Sequence, residues 1–513
     1  MKKNFYIDLL FLFTIGVITS FSLPPFNYFL INFFTFTIFL IFLVKKLNNS
    51  ESKKYFFYGW SFGLGLFISS LYWISISLTF DQSFKFLIPL SLILVPAFLA
   101  IFYGLVCLSF RLINPRGIIN SLLVISLLFS IFEYLRGMIL TGFPWNMIVY
   151  SLSGQLEILS ITSIIGTYGL NLICITIFAS PAILIMRRKK IDLLVFIFLL
   201  TLPSLFYFYG LNKKEKFFDT EKTIHNYNIR AIGSNISLDR FYFEVETSSI
   251  IEDLIDVSNP NKNNKTIFIW PEGIIPNIYQ KDLKNYDFLF NKKFNENHLI
   301  LIGINSKNFK NGYEIFFNSL GLYDYQLNLL DSYDKIKLVP FGEFLPFEKV
   351  LSKIGLKSIT NNYQSYSKGS KRDNIEINFG IDTLKILPLI CYEIIYSGNL
   401  FKSSDFDLIV NVSEDGWFGN SIGPDQHFTH SIYRAIESGK YLIRSSNNGI
   451  AAIINPLGIV EQSIGLGESG FVEFNESRKI KPTLFSRFGN KIFGFLILLY
   501  IFLIFSFNRI KNE

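Results

Sequence analysis

The sequence predicts a membrane α-helical bundle of about eight spans joined to one external α/β domain. Three observations carry this reading. Residues 1 to about 212 and about 488 to 508 are nearly continuous apolar blocks. The roughly 270 residues between them have ordinary globular composition, enough for one sizeable domain. Basic residues gather in alternate short loops of the apolar part. The 513-residue chain is 50% hydrophobic, contains 57 Phe and has a mean hydropathy of +0.36, too apolar for an ordinary water-soluble enzyme.

A helix needs about 20 apolar residues to cross a bilayer. Candidates lie at about 5–23, 28–44, 57–79, 86–110, 118–139, 157–186, 192–211 and 488–507. The first begins MKKNF, as a signal peptide does. It runs into Leu23-Pro24-Pro25 without a small-residue cleavage site, and another span follows, so it reads as an uncleaved anchor.

Orientation follows from the loop charges. Lys2 and Lys3 precede the first span. Lys45, Lys46, Lys53 and Lys54 separate the second and third, and Arg111 and Arg116 the fourth and fifth. Arg187, Arg188, Lys189 and Lys190 separate the sixth and seventh, and Arg509 and Lys511 follow the eighth. The intervening loops, such as 80-FDQSFK-85, are poorer in Lys and Arg. Both termini are therefore expected in the cytoplasm and the large domain outside, in the periplasm if the membrane is a bacterial inner membrane. Lys213, Lys214 and Lys216 run against the pattern, which long translocated domains tolerate. The net charge of +8 comes largely from these loops and favours anionic headgroups; it requires no nucleic acid.

Within the external domain, apolar runs alternate with helical segments. Expected strands are 227-YNIRAIG-233, 266-TIFIW-270, 299-LILIGI-304, 384-LKILPLI-390, 407-DLIVNV-412, 441-YLIRSS-446 and 449-GIAAIIN-455. Helices are expected near 238–258 and 425–439. Apolar strands alternating with helices imply a sheet covered on its faces.

Three polar groups stand at strand ends or in adjoining loops. The run 266-TIFIWPEG-273 puts Glu272 just past a strand. The segment 333-YDKIKLVPFGEFLP-346 supplies Lys335 and Glu343, and Cys391 ends the run 384–390. Cys107 and Cys174 fall in predicted spans, so Cys391 has no disulfide partner in its own domain. A lone cysteine is more often a buried filler than a nucleophile, and a Glu–Lys pair is more often a solvated one. Together, a carboxylate, an ammonium and a thiol suit acyl transfer: the first takes the thiol proton, and the second stabilises thiolate and oxyanion. The main-chain N–H of Tyr392 is a second candidate oxyanion donor.

The strings WPEG, YxKxxLVPFGE, and CYE followed by 411-NVSEDGWFGNSIGPDQH-427 resemble the nitrilase, or carbon-nitrogen hydrolase, superfamily. More narrowly, they resemble its membrane-embedded apolipoprotein N-acyltransferase branch. The resemblance extends to 133-EYLRGMILTGFPWN-146 and covers nearly the whole chain. It implies an αββα sandwich for the external domain and three parts: a seven-span region over 1–212, a periplasmic catalytic domain over 213–482, and a last span with a short tail over 483–513. It implies Glu272 as general base, Lys335 as the triad lysine and Cys391 as nucleophile. Glu343, Tyr392 and Glu393 match supporting positions, and Trp417, Phe341, Phe344 and Pro346 match positions near the substrates. Lys337 competes for the lysine role, but the spacing of Lys335 from Tyr333 and Glu343 fits the motif. Two departures stand out. In 231-AIGSNISLDRF-241 only Phe241 occupies the place of an expected tryptophan, and Glu414 and Gly416 stand where an amide and an alanine are expected.

The implied reaction moves a fatty acyl chain from a membrane phospholipid, through a Cys391 thioester, to the N-terminal α-amine of a diacylglyceryl apolipoprotein. No cofactor or metal is expected, and a monomer suffices. The stretch 340-PFGEFLPFEKVLSKIGL-356 reads equally as an interfacial loop or as a lid on its own domain. Glu133 and Arg136, three apart on a predicted helix, are placed to pair. The GxGxxG match at 465–470 precedes the strand-like 471-FVEF-474 and reads as a turn. The HxxH of His427 and His430 lacks the rest of a zinc motif. Two rival readings are a membrane-tethered amidase acting on a small amide and a non-enzymatic transporter or scaffold.

Overall fold

The computed structural model describes residues 2–47, 51–310, 312–346, 365–379, 382–400 and 405–510. The chain forms two compact units. The first comprises Met1–Glu215, Ser421–Thr429 and Thr483–Glu513, and the second Lys216–Asn420 and His430–Pro482.

The first unit is helical. Among the described residues, six helices are long and apolar enough to cross a membrane: Ser52–Thr79, Gln82–Ile113, Ile118–Arg136, Thr162–Met186, Lys190–Asp219 and Lys491–Arg509. The helices over the first two candidate spans, of 19 and 16 residues, fall outside this set. The candidate 157–186 is broken. Gly166 sits at φ 70° with the Phe485 ring where a Cβ would be, and Pro181 starts a new short helix. Inside the unit, Glu133 pairs with Arg136 and accepts from Tyr103 Oη at 2.6 Å, while Arg136 also donates to the Phe143 carbonyl. Both charges are buried, so neither is tolerated without the other.

The second unit is built on strands. They are β1 (Thr223–Ser234), β2 (Thr266–Trp270), β3 (His298–Gly303), β4 (Ser306–Lys310), β5 (Tyr313–Phe317), β6 (Ser319–Asp324) and β7 (Leu329–Asp334). After these come β8 (Ile375–Phe379), β9 (Asp382–Ile390), β10 (Leu408–Glu414), β11 (Tyr441–Asn447), β12 (Ala451–Ile454), β13 (Val460–Ile464) and β14 (Gly470–Ser477). One hydrogen-bonded sheet runs β7-β6-β3-β2-β1-β11-β10-β9-β8, parallel from β3 to β9 and antiparallel at its edges. The hairpin β4–β5 stands apart.

The strands are apolar on both faces because both faces are covered. Along β2, Ile267 and Ile269 point into one cluster, whereas Phe268 and Trp270 point into another with Ile250, Ile251, Leu254 and Phe290 from the helical layer. Beyond the strand ladder, Tyr333 of β7 donates to Glu393, just past β9, although β7 and β9 stand seven places apart in the sheet order. At about 4.8 Å per strand a flat sheet would keep strands so placed roughly 30 Å apart. The sheet therefore folds over on itself, β6 touching β9 and β7 touching β8, and makes a β-on-β sandwich.

One helix expected over 238–258 is instead a 3-10 turn, Leu238–Phe241, followed by the helix Thr247–Ser258. Arg240 ties the start of the turn to the carbonyls of Ile236 and Ser237, and Tyr242 N and Phe243 N both return to Asp239 O, which closes the turn before Thr247. The GxGxxG stretch is the connection between β13 and β14.

Candidate active site

In parallel sheets the functional groups collect at the carboxyl ends of the strands. Here Glu272 follows β2, Cys391 follows β9 and Glu414 ends β10. Gly303, at the end of the neighbouring β3, lies so close that a Cβ would sit 2.3 Å from Pro271 O and 2.5 Å from Glu272 Cα. A glycine is required there for the backbone carrying Glu272 to approach.

Lys335 stands between two carboxylates. Its Nζ donates to Glu272 Oε1 at 3.0 Å and to Glu343 Oε1 at 2.9 Å. Asn318 Nδ2 donates to the same two oxygens, each at 2.7 Å. Lys335 is 1% exposed, Glu272 7% and Glu343 8%, so the carboxylates need the cation and the cation needs them. Burial works against the Lys335 charge, but the two glutamates outweigh it and hold its pKa well above the usual lysine range. Lys335 is therefore a fixed ammonium, not a base. Lys337 lies outside this cluster with its ammonium over the Tyr396 ring at 4.9 Å.

One ammonium against two carboxylates leaves the cluster a net negative charge. Cys391 feels it. Burial first, then the Glu272 carboxylate, push the thiol well above the ordinary cysteine range, against the opposing effect of Lys335. The resting sulfur is therefore a neutral thiol, and its proton has to leave as it reacts. Cys391 also shares a hydrogen bond with Ser413, whose hydroxyl donates to Asp415 Oδ1 at 2.6 Å. Asp415 in turn is paired with Arg444 at 2.8 Å. Cys391 has φ 46°, a left-handed conformation that costs a side chain about 1–3 kcal/mol and is common where a reacting group must be aimed.

Glu393 holds that turn. Its fully buried carboxylate accepts from Ile390 N at 2.9 Å, Ile336 N at 3.0 Å, Lys337 N at 3.2 Å and Tyr333 Oη at 2.8 Å, and pairs with Arg372. It therefore ties the strand end before Cys391 to the segment just after Lys335. Glu343 is likewise an acceptor, taking Val339 N on its second oxygen at 2.8 Å. A carboxylate that only accepts cannot donate to an oxyanion, so Lys335 and main-chain N–H groups are the donors available. The Tyr392 ring is buried edge-on against Tyr396 at 5.5 Å.

The positions expected near substrate are spread around this centre. Trp417 stacks on Phe241 at 5.5 Å with 22° between planes. Phe341 is half exposed at φ 63°, and its N–H closes a turn onto Phe344 O at 2.8 Å. Pro346 is partly buried. Phe347 and the rest of the stretch to 356 lie outside the described residues. The stretch 411–427 is divided, its residues from Ser421 belonging to the helical unit. There, Gln426 accepts from the indoles of Trp73 and Trp145 at 3.1 and 2.9 Å, and His427 stacks on Trp145. A cavity of about 300 Å³ lined by Phe217, Tyr441, Glu461, Phe474 and Arg478 contains none of these site residues.

Sequence reasoning missed Asn318, Ser413 and Arg372. Asn318 is a single polar residue between β5 and β6, and Arg372 a single arginine before β8, so no local pattern marks either. Ser413 and Asp415 lie within 411-NVSEDGWFG-419, where nothing local sets them apart from their neighbours.

Residues 15–180 match the apolipoprotein N-acyltransferase N-terminal domain, and residues 257–472 match carbon-nitrogen hydrolases. An apolipoprotein N-acyltransferase from Rhodopseudomonas palustris is 30% identical over 514 residues, covering 95% of this chain and 93% of its own. One from Allorhizobium ampelinum is 32% identical over 473 residues, covering 89% and 87%. Among solved structures, an amidase of the nitrilase superfamily from Nesterenkonia AN1 is 13% identical over 50% of this chain and 92% of its own, with a TM-score of 0.33.

Proposed function

The chain belongs to the apolipoprotein N-acyltransferase family, and on that premise we propose that it N-acylates lipoproteins by a two-step transfer through Cys391. The acyl donor is a membrane phospholipid, and the acceptor is the N-terminal α-amine of a diacylglyceryl-modified apolipoprotein. The observation that carries the reading is the Lys335 ammonium clamped between Glu272 and Glu343, electrostatically coupled to the Cys391 thiol.

In the first step the Cys391 proton passes to Glu272 while sulfur attacks the phospholipid ester carbonyl. Lys335 and main-chain N–H groups, that of Tyr392 included, meet the oxyanion. Collapse breaks the ester C–O bond. The leaving lysophospholipid oxygen takes the proton from Glu272, and an acyl-thioester remains. In the second step the neutral α-amine attacks the thioester carbonyl and gives a proton to Glu272. The C–S bond breaks, the amide forms, and the Cys391 thiolate recovers the proton. The raised thiol pKa fits this order: the base is needed at the moment of attack, and no resting thiolate is exposed to side reactions.

The apolar helices suit the substrates. Both are held by acyl chains whose withdrawal from lipid costs about 0.8 kcal/mol per CH₂, so a site opening at the bilayer surface avoids that cost. We assign residues 1–212 to seven spans, 213–482 to a periplasmic catalytic domain, and 483–513 to the last span and tail. Both termini are cytoplasmic, in a bacterial inner membrane. Trp417, Phe341, Phe344 and Pro346 flank the acyl chains, and the protein works as a monomer without a cofactor.

The test separates transfer from hydrolysis. Purified protein is supplied with a diacyl phospholipid and a diacylglyceryl-cysteinyl peptide. The expected products are N-acylated peptide and lysophospholipid in equal amounts. Release of free fatty acid at the same rate with and without the peptide would contradict the transferase reading and favour a membrane-tethered hydrolase of the amidase type.

A further inference from the structure

The general base has a second support that the reaction scheme does not use. Arg240, on the turn Leu238–Phe241, pairs with Glu414 at the end of β10, and each is 2% exposed. The Arg240 fork is fully engaged: besides Glu414 it donates to Ile274 O at 3.2 Å, Ile236 O at 3.2 Å and Ser237 O at 3.0 Å. The Glu414 carboxylate also accepts from Asn447 Nδ2 at 2.7 Å, Gly416 N at 2.9 Å and Asn448 Nδ2 at 3.4 Å. Saturated in this way, it is a structural anchor. The main chain of the same residue faces the chemistry: its N–H donates to Glu272 Oε2 at 3.0 Å. The other oxygen of Glu272 is the one that takes Lys335 and Asn318.

The two departures from the expected motif, Glu414 and Gly416, are one device. A Cβ on residue 416 would lie 2.7 Å from Glu414 Oε1 and 2.9 Å from Asn448 Nδ2. The carboxylate can take the Gly416 N–H while reaching Arg240 because residue 416 has no side chain. A buried charge at 414 then requires a buried partner, which Arg240 supplies from a loop 174 residues away.

The geometry points to Arg240 and Glu414 as positioning residues for the general base: their ion pair holds the Glu414 N–H on Glu272 and so fixes which carboxylate oxygen is presented to the Cys391 proton. This rests on the Glu272–Lys335–Cys391 reading of the preceding subsection. Neither residue touches substrate; each acts through Glu272.

The experiment uses the full-length protein in detergent with a diacyl phospholipid. It measures the maximal rate of acyl loading onto Cys391, the phospholipid concentration at half that rate, and the melting temperature. Glu414→Gln and Arg240→Gln each leave one buried charge unpaired. The double variant Arg240→Gln/Glu414→Gln removes both charges. Each single variant is expected to lower the maximal loading rate about tenfold or more, with the half-saturating concentration unchanged. The double variant is expected to recover most of that loss. Gly416→Ala displaces the carboxylate without altering charge and is expected to give the same kinetic effect, should a charge variant fail to fold. Single variants that load at the wild-type rate per folded molecule and only melt earlier would overturn the proposal, as would losses that multiply in the double variant. Absence of loading in the wild type would overturn the triad reading itself, and the proposal with it.

Discussion

Lys335→Met is expected to abolish acyl loading of Cys391, with a fall in rate of roughly a thousandfold or more. Two effects add. On the proposed mechanism the variant loses the cation that meets the oxyanion, and removing a single such donor costs about a hundred- to a thousandfold elsewhere. It also leaves Glu272 and Glu343 bonded to the same Asn318 amide nitrogen with no cation between them. One of two such carboxylates has to bind a proton, and a protonated Glu272 cannot accept another from the thiol. The same argument gives a stability effect. Uncompensated buried charge is expected to destabilise the variant by about 3–5 kcal/mol at neutral pH. The melting temperature of the variant is expected to fall correspondingly below that of wild type. A melting temperature equal to wild type, or loading within tenfold of wild type, would show that Lys335 does not do this.

Glu272→Gln is expected to separate thiol reactivity from catalysis. Acyl loading should fall by about a hundred- to ten-thousandfold, the usual cost of losing a general base. Alkylation of Cys391 by iodoacetamide should become faster. The sign follows from the charges: after burial, the Glu272 carboxylate is the next largest influence raising the thiol pKa, and Lys335 lowers it. Removing Glu272 takes away the first and leaves the second less compensated, so the thiolate fraction at a given pH rises. In the wild type, alkylation should stay slow through the pH range where an ordinary cysteine titrates. Equal alkylation rates in both proteins, measured in detergent without phospholipid, would contradict the coupling of Glu272 to Cys391.

How much of this could be read in the chain depended on whether its physical cause was local. The strands that carry the site were legible because burial on both faces makes them unbroken apolar runs, such as 266-TIFIW-270 and 384-LKILPLI-390. Glu272, Lys335 and Cys391 were legible because each stands where such a run ends or beside a motif. Choosing Lys335 over Lys337 needed the motif spacing, since hydropathy does not distinguish two lysines two residues apart. The break after Leu238–Phe241 was missed because main-chain bonds make it, Tyr242 N and Phe243 N both to Asp239 O, and no residue type there announces them. Asn318 and the Arg240–Glu414 pair were out of reach for another reason: their partners come from distant segments, and no spacing encodes a contact across 174 residues. The left-handed turn at Cys391 carries no glycine or asparagine to announce it, because a cysteine occupies the position.

The central claim is that Cys391 carries the acyl group. The most direct measurement is the mass of the Cys391 peptide after the protein has been incubated with phospholipid alone and digested under conditions that preserve thioesters. The account expects one fatty-acyl adduct on Cys391, released by neutral hydroxylamine and lost when a diacylglyceryl peptide is added. A protein that binds phospholipid but shows no adduct and never releases lysophospholipid would contradict it and return Cys391 to the core.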